Sequence, residues 1–160
     1  MGFTYNEEFP CKVPAKRMFK VMITESHIHI PKIVPDGIKS IQYVKGEGCA
    51  VGSIKETKFA EGGHLKCMKH RMDAIDEEKF YCKYTLIEGD VIFDTIESVE
   101  YELKLEPAGN GCVCKVKSVY HAKAGVEIKE EEVKKGKEKA LGLYKAIEEY
   151  LLAHPDVCCA

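Results

Sequence analysis

The chain has 160 residues, the length of one ordinary domain, which is enough to bury about 70 % of its unfolded surface around a single core. Its 24 Lys and Arg residues nearly balance 26 Asp and Glu residues, and the formal net charge is -2. Strong nucleic-acid binding is not expected, because phosphate contacts need a basic surface. The sequence has no apolar N-terminal signal segment and no run of roughly 18 apolar residues, so we expect a cytoplasmic protein without membrane insertion.

The N-terminal part predicts a strand followed by two short helices. Residues 3–9 have strand character, and residues 14–22 begin with a proline, which is favoured in the first turn of a helix. A second short helix is expected over 26–33, bounded by Pro35.

Six further strands are expected between residues 38 and 122. They cover 39–45, 53–59, 65–75, 80–88, 96–105 and 113–122. The connections are short and rich in turn residues, which favours hairpins and an antiparallel meander. Over 99–106 apolar and charged residues alternate, so this strand should have one buried and one solvated face.

The segment GEGCAVGSIK, residues 46–55, resembles a phosphate-binding loop in its glycine content. Its third glycine is one residue late for G-x-G-x-x-G, and no Lys follows that glycine as a mononucleotide loop requires. A strand pattern rather than a helix follows, so the amides of a helix N-terminus are not available for a phosphate. The segment is therefore interpreted as a hairpin connection.

Residues 129–153 predict one long amphipathic helix, because apolar residues recur there at steps of three and four. The small residues Gly136 and Ala140, with Gly142 nearby, would leave room between this helix and the sheet. The order of elements predicts an α+β chain: a seven-stranded, curved antiparallel sheet around the long helix, with two short helices after the first strand.

The chain has eight cysteines, and an intracellular location favours free thiols over disulfides. Cys67, Cys82 and Cys114 occupy apolar strand positions, where unpaired cysteines are usually buried. Cys11 and Cys49 are assigned to connections.

No C-x-x-C pair begins a zinc or redox site. Cys112 and Cys114 lie on one face of a strand and could chelate an ion, but partner ligands are not evident. No metal site and no cofactor are therefore predicted. Whether Cys158 and Cys159 crosslink two chains is left open.

Several segments, in this order, carry a resemblance to a known family. They are MGFTYNEEF, IPKI at 30–33, the Gly-rich loop with Ile54 and Lys55, YTLIEGD at 84–90, YHAK at 120–123, VEIK at 126–129 and YLLAHP at 150–155. The chain resembles the plant pathogenesis-related class 10 proteins, the family of the birch-pollen major allergen, within the helix-grip, START-like superfamily. The resemblance covers the whole chain, so residues 1–160 are taken as one ligand-binding domain.

The resemblance implies a cytosolic monomer with an internal hydrophobic cavity for a small apolar or amphipathic ligand. Cytokinins, flavonoids, sterols and fatty acids are the ligands it suggests, in connection with defence or stress. The loop departs from the family pattern: it is one residue longer, with Cys49 and Ala50 where Gly and Pro are common. This departure puts the usual loop conformation in question.

Family positions that commonly line the cavity match eleven residues here. They are Met22, Ile38, Phe59, Cys67, His70, Cys82, Tyr84, Tyr101, Val116, Ala140 and Leu143. If Tyr84 and Tyr101 face inward, their hydroxyl groups can orient a ligand. For His70, an inward position and a surface position beside two cations remain equally open.

Two enzymatic alternatives stand beside binding. Some relatives in the superfamily catalyse Pictet-Spengler condensation or isomerisation of alkaloids in the same cavity. A ribonuclease is the other alternative, for which Lys55, Glu97, Glu148 and Tyr150 match the residues often proposed in the family. Each of these four also has an ordinary structural interpretation, and no confident catalytic assignment is made.

Overall fold

The computed structural model describes residues 2–46, 50–60, 67–89 and 96–157. The strands are β1 Gly2–Cys11, β2 Ile38–Lys45, β3 Ile54–Phe59, β4 Cys67–Asp76, β5 Tyr81–Gly89, β6 Ile96–Ala108 and β7 Gly111–Ala122. The helices are α1 Ala15–Phe19, which continues as the π-helical turn Lys20–Thr24, then α2 Ser26–Ile33 and α3 Glu130–Ala153. The predicted α+β order is confirmed.

The seven strands form one antiparallel sheet in the order β1-β7-β6-β5-β4-β3-β2. Strands β2 to β7 are a meander of sequential neighbours, and β1 pairs with the last strand, β7. Register shifts interrupt the β2–β3, β4–β5 and β6–β7 pairs. Such irregularities bend strands, which suits a sheet that curves around a helix.

Strand β6 shows how the sequence divides the two faces of the sheet. The side chains of Val99, Leu103 and Leu105 are at most 1 % exposed, whereas Lys104, between Leu103 and Leu105, is exposed. The predicted alternation is therefore confirmed, and the inner face of β6 points at the core.

Helix α3 turns a stripe of side chains toward the sheet. Val133, Lys137, Ile147 and Leu151 on this stripe are buried, and Ala140 is half-buried. A group of that spacing lies on one side of an α-helix.

Gly142 lies on the other side of α3. It is exposed, and a Cβ placed there would meet no atom within 4 Å. The expectation that Gly142 leaves room between helix and sheet is wrong. The same expectation for Gly136 depends on the surroundings of that position within α3, which are outside what the structure describes.

The C-terminal end of α3 is held by the guanidinium of Arg17 in α1. Its Nη2 donates hydrogen bonds to the carbonyl oxygens of Leu151 and His154 at 3.1 Å and of Val157 at 2.9 Å. The last carbonyls of a helix have no partner within it and carry partial negative charge, so a cation is well placed there.

The Gly-rich segment is a connection between β2 and β3, as predicted. Gly46 and Gly52 have φ of 78° and 89°, left-handed conformations that glycine adopts without strain. Gly52 N donates to Met72 O at 2.8 Å, and Met72 N donates to Ser53 O at 3.0 Å, so β4 holds the end of the segment. Cys49 lies outside the described residues.

The first strand is longer than predicted. β1 extends to Cys11, which is paired in register with Cys112 of β7, so the assignment of Cys11 to a connection is wrong. The C-terminal pair Cys158 and Cys159 lies outside the described residues. Across the part of the chain that is described, each helix is too short or too polar to cross a membrane.

Candidate ligand-binding site

An aromatic group occupies the inner face of three neighbouring strands. Tyr84 of β5 and Tyr101 of β6 are paired in register, and their rings stack with centroids 5.1 Å apart. The ring of His70 from β4 lies 5.6 Å from Tyr84 and 6.2 Å from Tyr101. The inward position of His70 is therefore the correct one of the two alternatives.

These side chains are removed from bulk water. Burial raises the pKa of Tyr84 and of Tyr101, because it disfavours the charged phenolate. Burial, together with the positive charge of Lys55, lowers the pKa of His70 to about 4. Tyr144 of α3 also has a pKa raised by burial, and its hydroxyl interacts with that of Tyr84.

The same four side chains are nevertheless only half-buried by accessible surface. A side chain can lie far from bulk water and still keep accessible surface when it lines an internal space rather than a packed core. The group lies between the inner face of β4 to β6 and the inward stripe of α3, from which Tyr144 and the Lys137 ammonium approach it. It combines aromatic surface with hydroxyl and imidazole groups, which can contact an apolar ligand and orient its polar atoms.

Lys137 adds a buried cation to this region, and our sequence analysis did not identify it. Its side chain comes from α3, is 6 % exposed, and donates a hydrogen bond to the Ser118 hydroxyl. The ammonium lies 3.5 Å from the carboxylate of Glu7, and 5.3 Å and 5.8 Å from the ring centroids of Tyr101 and Tyr5.

The pKa of Lys137 is lowered by burial, while the carboxylate of Glu7 acts in the opposite direction. In the sequence, Lys137 lies within a charged run of the helix, and such a run predicts a solvated side chain. The signal that could have identified it is its spacing of four and three from Val133 and Ala140, which places it on the inward stripe.

Lys55 forms a second polar contact region near α2. Its ammonium donates to the carbonyl oxygen of Ile23 at 3.2 Å and to the Ser26 hydroxyl, and lies 5.4 Å from the Tyr43 ring centroid. The ring of His27 packs edge-on against Tyr43 with centroids 5.1 Å apart. Lys55 therefore ties β3 to the turn before α2.

The structure distributes the eleven matched positions between core, interior wall and outer face. Met22, Ile38, Cys82 and Val116 are buried in the main core, and Phe59, Tyr84 and Leu143 pack against it. Tyr101 packs against the smaller second cluster, with His70 beside it and Ala140 on the inward stripe of α3.

Cys67 is the exception among these positions. Side chains alternate along β4, and His70 and Met72 face inward, so Cys67 lies on the opposite face with Lys69 and Arg71. Lys69 forms an ion pair with Glu88 at 3.3 Å there, as expected of a solvated face.

The four ribonuclease candidates have separate surroundings. Glu97 is exposed, and Glu148 accepts a hydrogen bond from the backbone N of Lys12 at 2.7 Å. Tyr150 stacks on His154 with ring centroids 4.1 Å apart, near the end of α3. Glu148 and Tyr150 are two positions apart on a helix and do not face each other.

A curved antiparallel sheet that grips one long helix, over an interior lined by aromatic and polar groups, defines the helix-grip class. Within this class, the sequence matches the Pathogenesis-related protein Bet v 1 family over residues 1–154, and the chain belongs to that family. Membership is consistent with a defence-related ligand-binding protein.

Curated relatives include plant allergens of similar length. The chain is 47% identical over 154 residues to the major allergen Mal d 1 of Malus domestica, covering 96% of each chain. It is 46% identical over 156 residues to the major strawberry allergen Fra a 1.07 of Fragaria ananassa, again covering 96% of each.

Solved structures with the same fold include Ara h 8.0201 and a norcoclaurine synthase. Ara h 8.0201 superposes with a TM-score of 0.86 at 32% identity, covering 96% of this chain and 100% of that chain. Norcoclaurine synthase from Thalictrum flavum superposes with a TM-score of 0.75 at 22% identity, covering 96% and 88%. At that identity the second likeness establishes the fold alone.

Proposed function

We propose that this chain binds small apolar or amphipathic metabolites in the space between the sheet and α3, as part of a defence or stress response. Cytokinins, flavonoids, sterols, fatty acids and alkaloid precursors belong to this ligand class. The supporting observation is the group of Tyr84, Tyr101 and Tyr144, which are desolvated yet retain accessible surface. The protein acts as a cytoplasmic monomer whose residues 1–160 serve as one binding domain.

Lys137 gives the interior a preference for ligands with one anionic or strongly accepting group. An ammonium has three donor protons. The Ser118 hydroxyl and the Glu7 carboxylate take two of them, which leaves one for a ligand oxygen. An amphipathic acid can therefore place its carboxylate at Lys137 and its apolar body against the tyrosines.

The first experiment is displacement of an environment-sensitive apolar fluorophore by a panel of these metabolites, with each mixture then analysed by mass spectrometry. Saturable displacement with the ligand recovered intact is the result expected of a binding protein. Failure of every apolar probe to bind would overturn the proposal, since it would mean that α3 closes onto the sheet.

The role of Lys137 is tested with Lys137→Met and the control Lys139→Met, whose side chain is exposed two positions further along α3. A long-chain fatty acid and the alcohol of the same chain length are compared as ligands. A hydrogen bond to a charged group is worth about 1.5–3 kcal/mol, so Lys137→Met should weaken the acid at least tenfold and change the alcohol little. Equal weakening of both ligands would contradict the anionic contact.

An enzyme that condenses or isomerises its substrate in the same space is the second candidate. The observation that favours it is Lys137, a buried amine with a lowered pKa whose ammonium is 5.3 Å from the Tyr101 ring. Such an amine is more available as a base or nucleophile than an exposed one. Under this hypothesis new masses are found in the mixtures, and Lys137→Met and Tyr101→Phe abolish their formation while retaining fluorophore binding.

A further inference from the structure

Three thiols converge where the first and last strands of the sheet meet. Cys11 ends β1 and is paired in register with Cys112 of β7, and Cys114 lies two residues further along β7. All three sulfur atoms lie within 4.8 Å of one another. The sheet therefore supplies the third thiol that the pattern Cys112-Val113-Cys114 lacked.

The group is fully inside the protein. Cys11, Cys112 and Cys114 are 7 %, 2 % and 0 % exposed, and all three belong to the main core cluster. No disulfide joins them in the described structure. Because the group is buried, it suits an ion that needs no water molecules in its coordination shell.

The arrangement suits a soft ion of low coordination number. Metal–sulfur bonds of about 2.3 Å place the sulfurs of a trigonal site about 4 Å apart. Thiolate ligands select Cu(I), zinc and iron–sulfur clusters over hard ions. Zinc in structural sites takes four protein ligands, whereas the group found in the described part of the chain consists of these three cysteines.

We propose that Cys11, Cys112 and Cys114 form a three-coordinate site for a soft, thiophilic metal ion, with Cu(I) as the ion whose coordination number fits. Binding forms up to three copper–sulfur bonds and releases one proton to solvent for each thiol that ionises. The ion remains Cu(I), so no oxidant or reductant is consumed. This proposal is independent of the ligand-binding function proposed above.

The test titrates reduced full-length protein with Cu(I) in the absence of oxygen, in competition with a chromogenic Cu(I) chelator. Because Cys49, Cys67, Cys158 and Cys159 could also bind copper, the reference protein carries all four as serine. We expect this reference protein to take one Cu(I) per chain from the chelator. Failure of the reference protein to retain copper would overturn the proposal.

Cys114→Ala in the reference protein should weaken Cu(I) binding at least tenfold. The matched control is Cys82→Ala, since Cys82 is likewise 0 % exposed in the same core and lies outside the thiol group. Equal weakening by both substitutions would contradict the assigned ligands. Circular dichroism and urea unfolding verify that each variant is folded.

A spectroscopic measurement on the reference protein does not depend on how the variants fold. X-ray absorption of its copper complex should show a shell of three sulfur atoms at about 2.3 Å, the usual metal–thiolate distance. A shell dominated by nitrogen or oxygen would exclude the three-thiolate site. Binding of apolar fluorophores in the same samples reports separately on the ligand site.

Discussion

The environment of Tyr101 follows from one register position in the sheet. It lies opposite Tyr84 and beneath the Lys137 ammonium, with the buried Val99 and Leu103 on the same face of β6. Because Tyr101 is removed from bulk water, its hydroxyl can form a hydrogen bond to a ligand without displacing bulk water. Tyr101→Phe should therefore weaken hydroxylated ligands by about 1 kcal/mol, the net value of one hydrogen bond.

Fluorophore displacement with several hydroxylated ligands measures this loss, and Tyr81→Phe is the matched control. Tyr81 precedes the inward-facing Cys82 in β5 and is paired with the exposed Lys104, so its hydroxyl lies on the outer face. Unchanged affinity of Tyr101→Phe across all these ligands would remove Tyr101 from the binding site.

His70 makes the stability of the protein depend on pH. Its pKa of about 4, set by burial and by Lys55, lies below the value of about 6.5 expected in the unfolded chain. Between these values the unfolded state binds more protons, so the stability contributed by neutral His70 is complete above pH 6.5 and is lost as the pH falls toward 4. The difference corresponds to at most about 3 kcal/mol of unfolding free energy.

The measurement is urea unfolding of wild type and His70→Gln at neutral and mildly acidic pH. His70→Gln should lose less unfolding free energy on acidification than wild type, because the glutamine does not titrate. His154→Gln, which removes an exposed histidine, is the control. An identical acid-dependent loss in wild type and His70→Gln would contradict a buried neutral imidazole.

How far single residues could be predicted depended on the element that carries them. Alternation along β5 and β6 puts Tyr84 and Tyr101 on the same face as their apolar neighbours, but only the structure shows that this face is the inner one. On β4 the same rule separates Cys67 from His70, which the match to family positions did not do. The burial of Lys137 was indicated in the sequence by its spacing from Val133 and Ala140, a signal that the surrounding run of charged residues obscures.

At the scale of elements, Arg17 connects the N-terminal helix to the end of α3. Its guanidinium reaches the carbonyl oxygens of Leu151, His154 and Val157, a fork that an ammonium cannot reproduce. Arg17→Met should lower the unfolding free energy by about 1.5–3 kcal/mol, the range for hydrogen bonds to a charged group. Urea unfolding and protease cleavage near the end of α3 report the change.

Lys16→Met is the control for this substitution, because Lys16 is the exposed neighbour of Arg17 in α1. It should leave both measurements nearly unchanged. A loss of stability in Arg17→Met no larger than in Lys16→Met would show that the carbonyl contacts do not hold the helix.

Element types were predictable because their periodicities are strong, whereas their ends depended on partners. The long helix and the six-strand meander follow from the spacing of apolar residues. The extension of β1 to Cys11 depends on pairing with β7, which lies about a hundred residues away along the chain. The π-helical turn over Lys20–Thr24 likewise has no signature in the pattern of apolar residues.

At the scale of the whole molecule, the distribution of charge predicts that salt affects the binding of metabolites and the binding of RNA differently. The outer face of the sheet carries paired charges, such as Lys83 with Glu100 at 3.7 Å and Lys69 with Glu88 at 3.3 Å, and the net charge is -2. A neutral apolar ligand that binds at the desolvated tyrosines forms no ion pair and releases no counterion. The affinity for a neutral apolar ligand should therefore change less than about twofold between about 50 mM and about 500 mM salt.

RNA held through phosphates should instead dissociate steeply with salt, because each contact releases a counterion. Fluorophore displacement and RNA retention, measured on the same samples across the salt series, distinguish the two. RNA cleavage that persists in Lys55→Ala and Glu148→Ala would count against a ribonuclease site at those residues. Tight RNA binding that resists salt and is displaced by apolar ligands would contradict the proposed function, because it would place RNA inside the space assigned to metabolites.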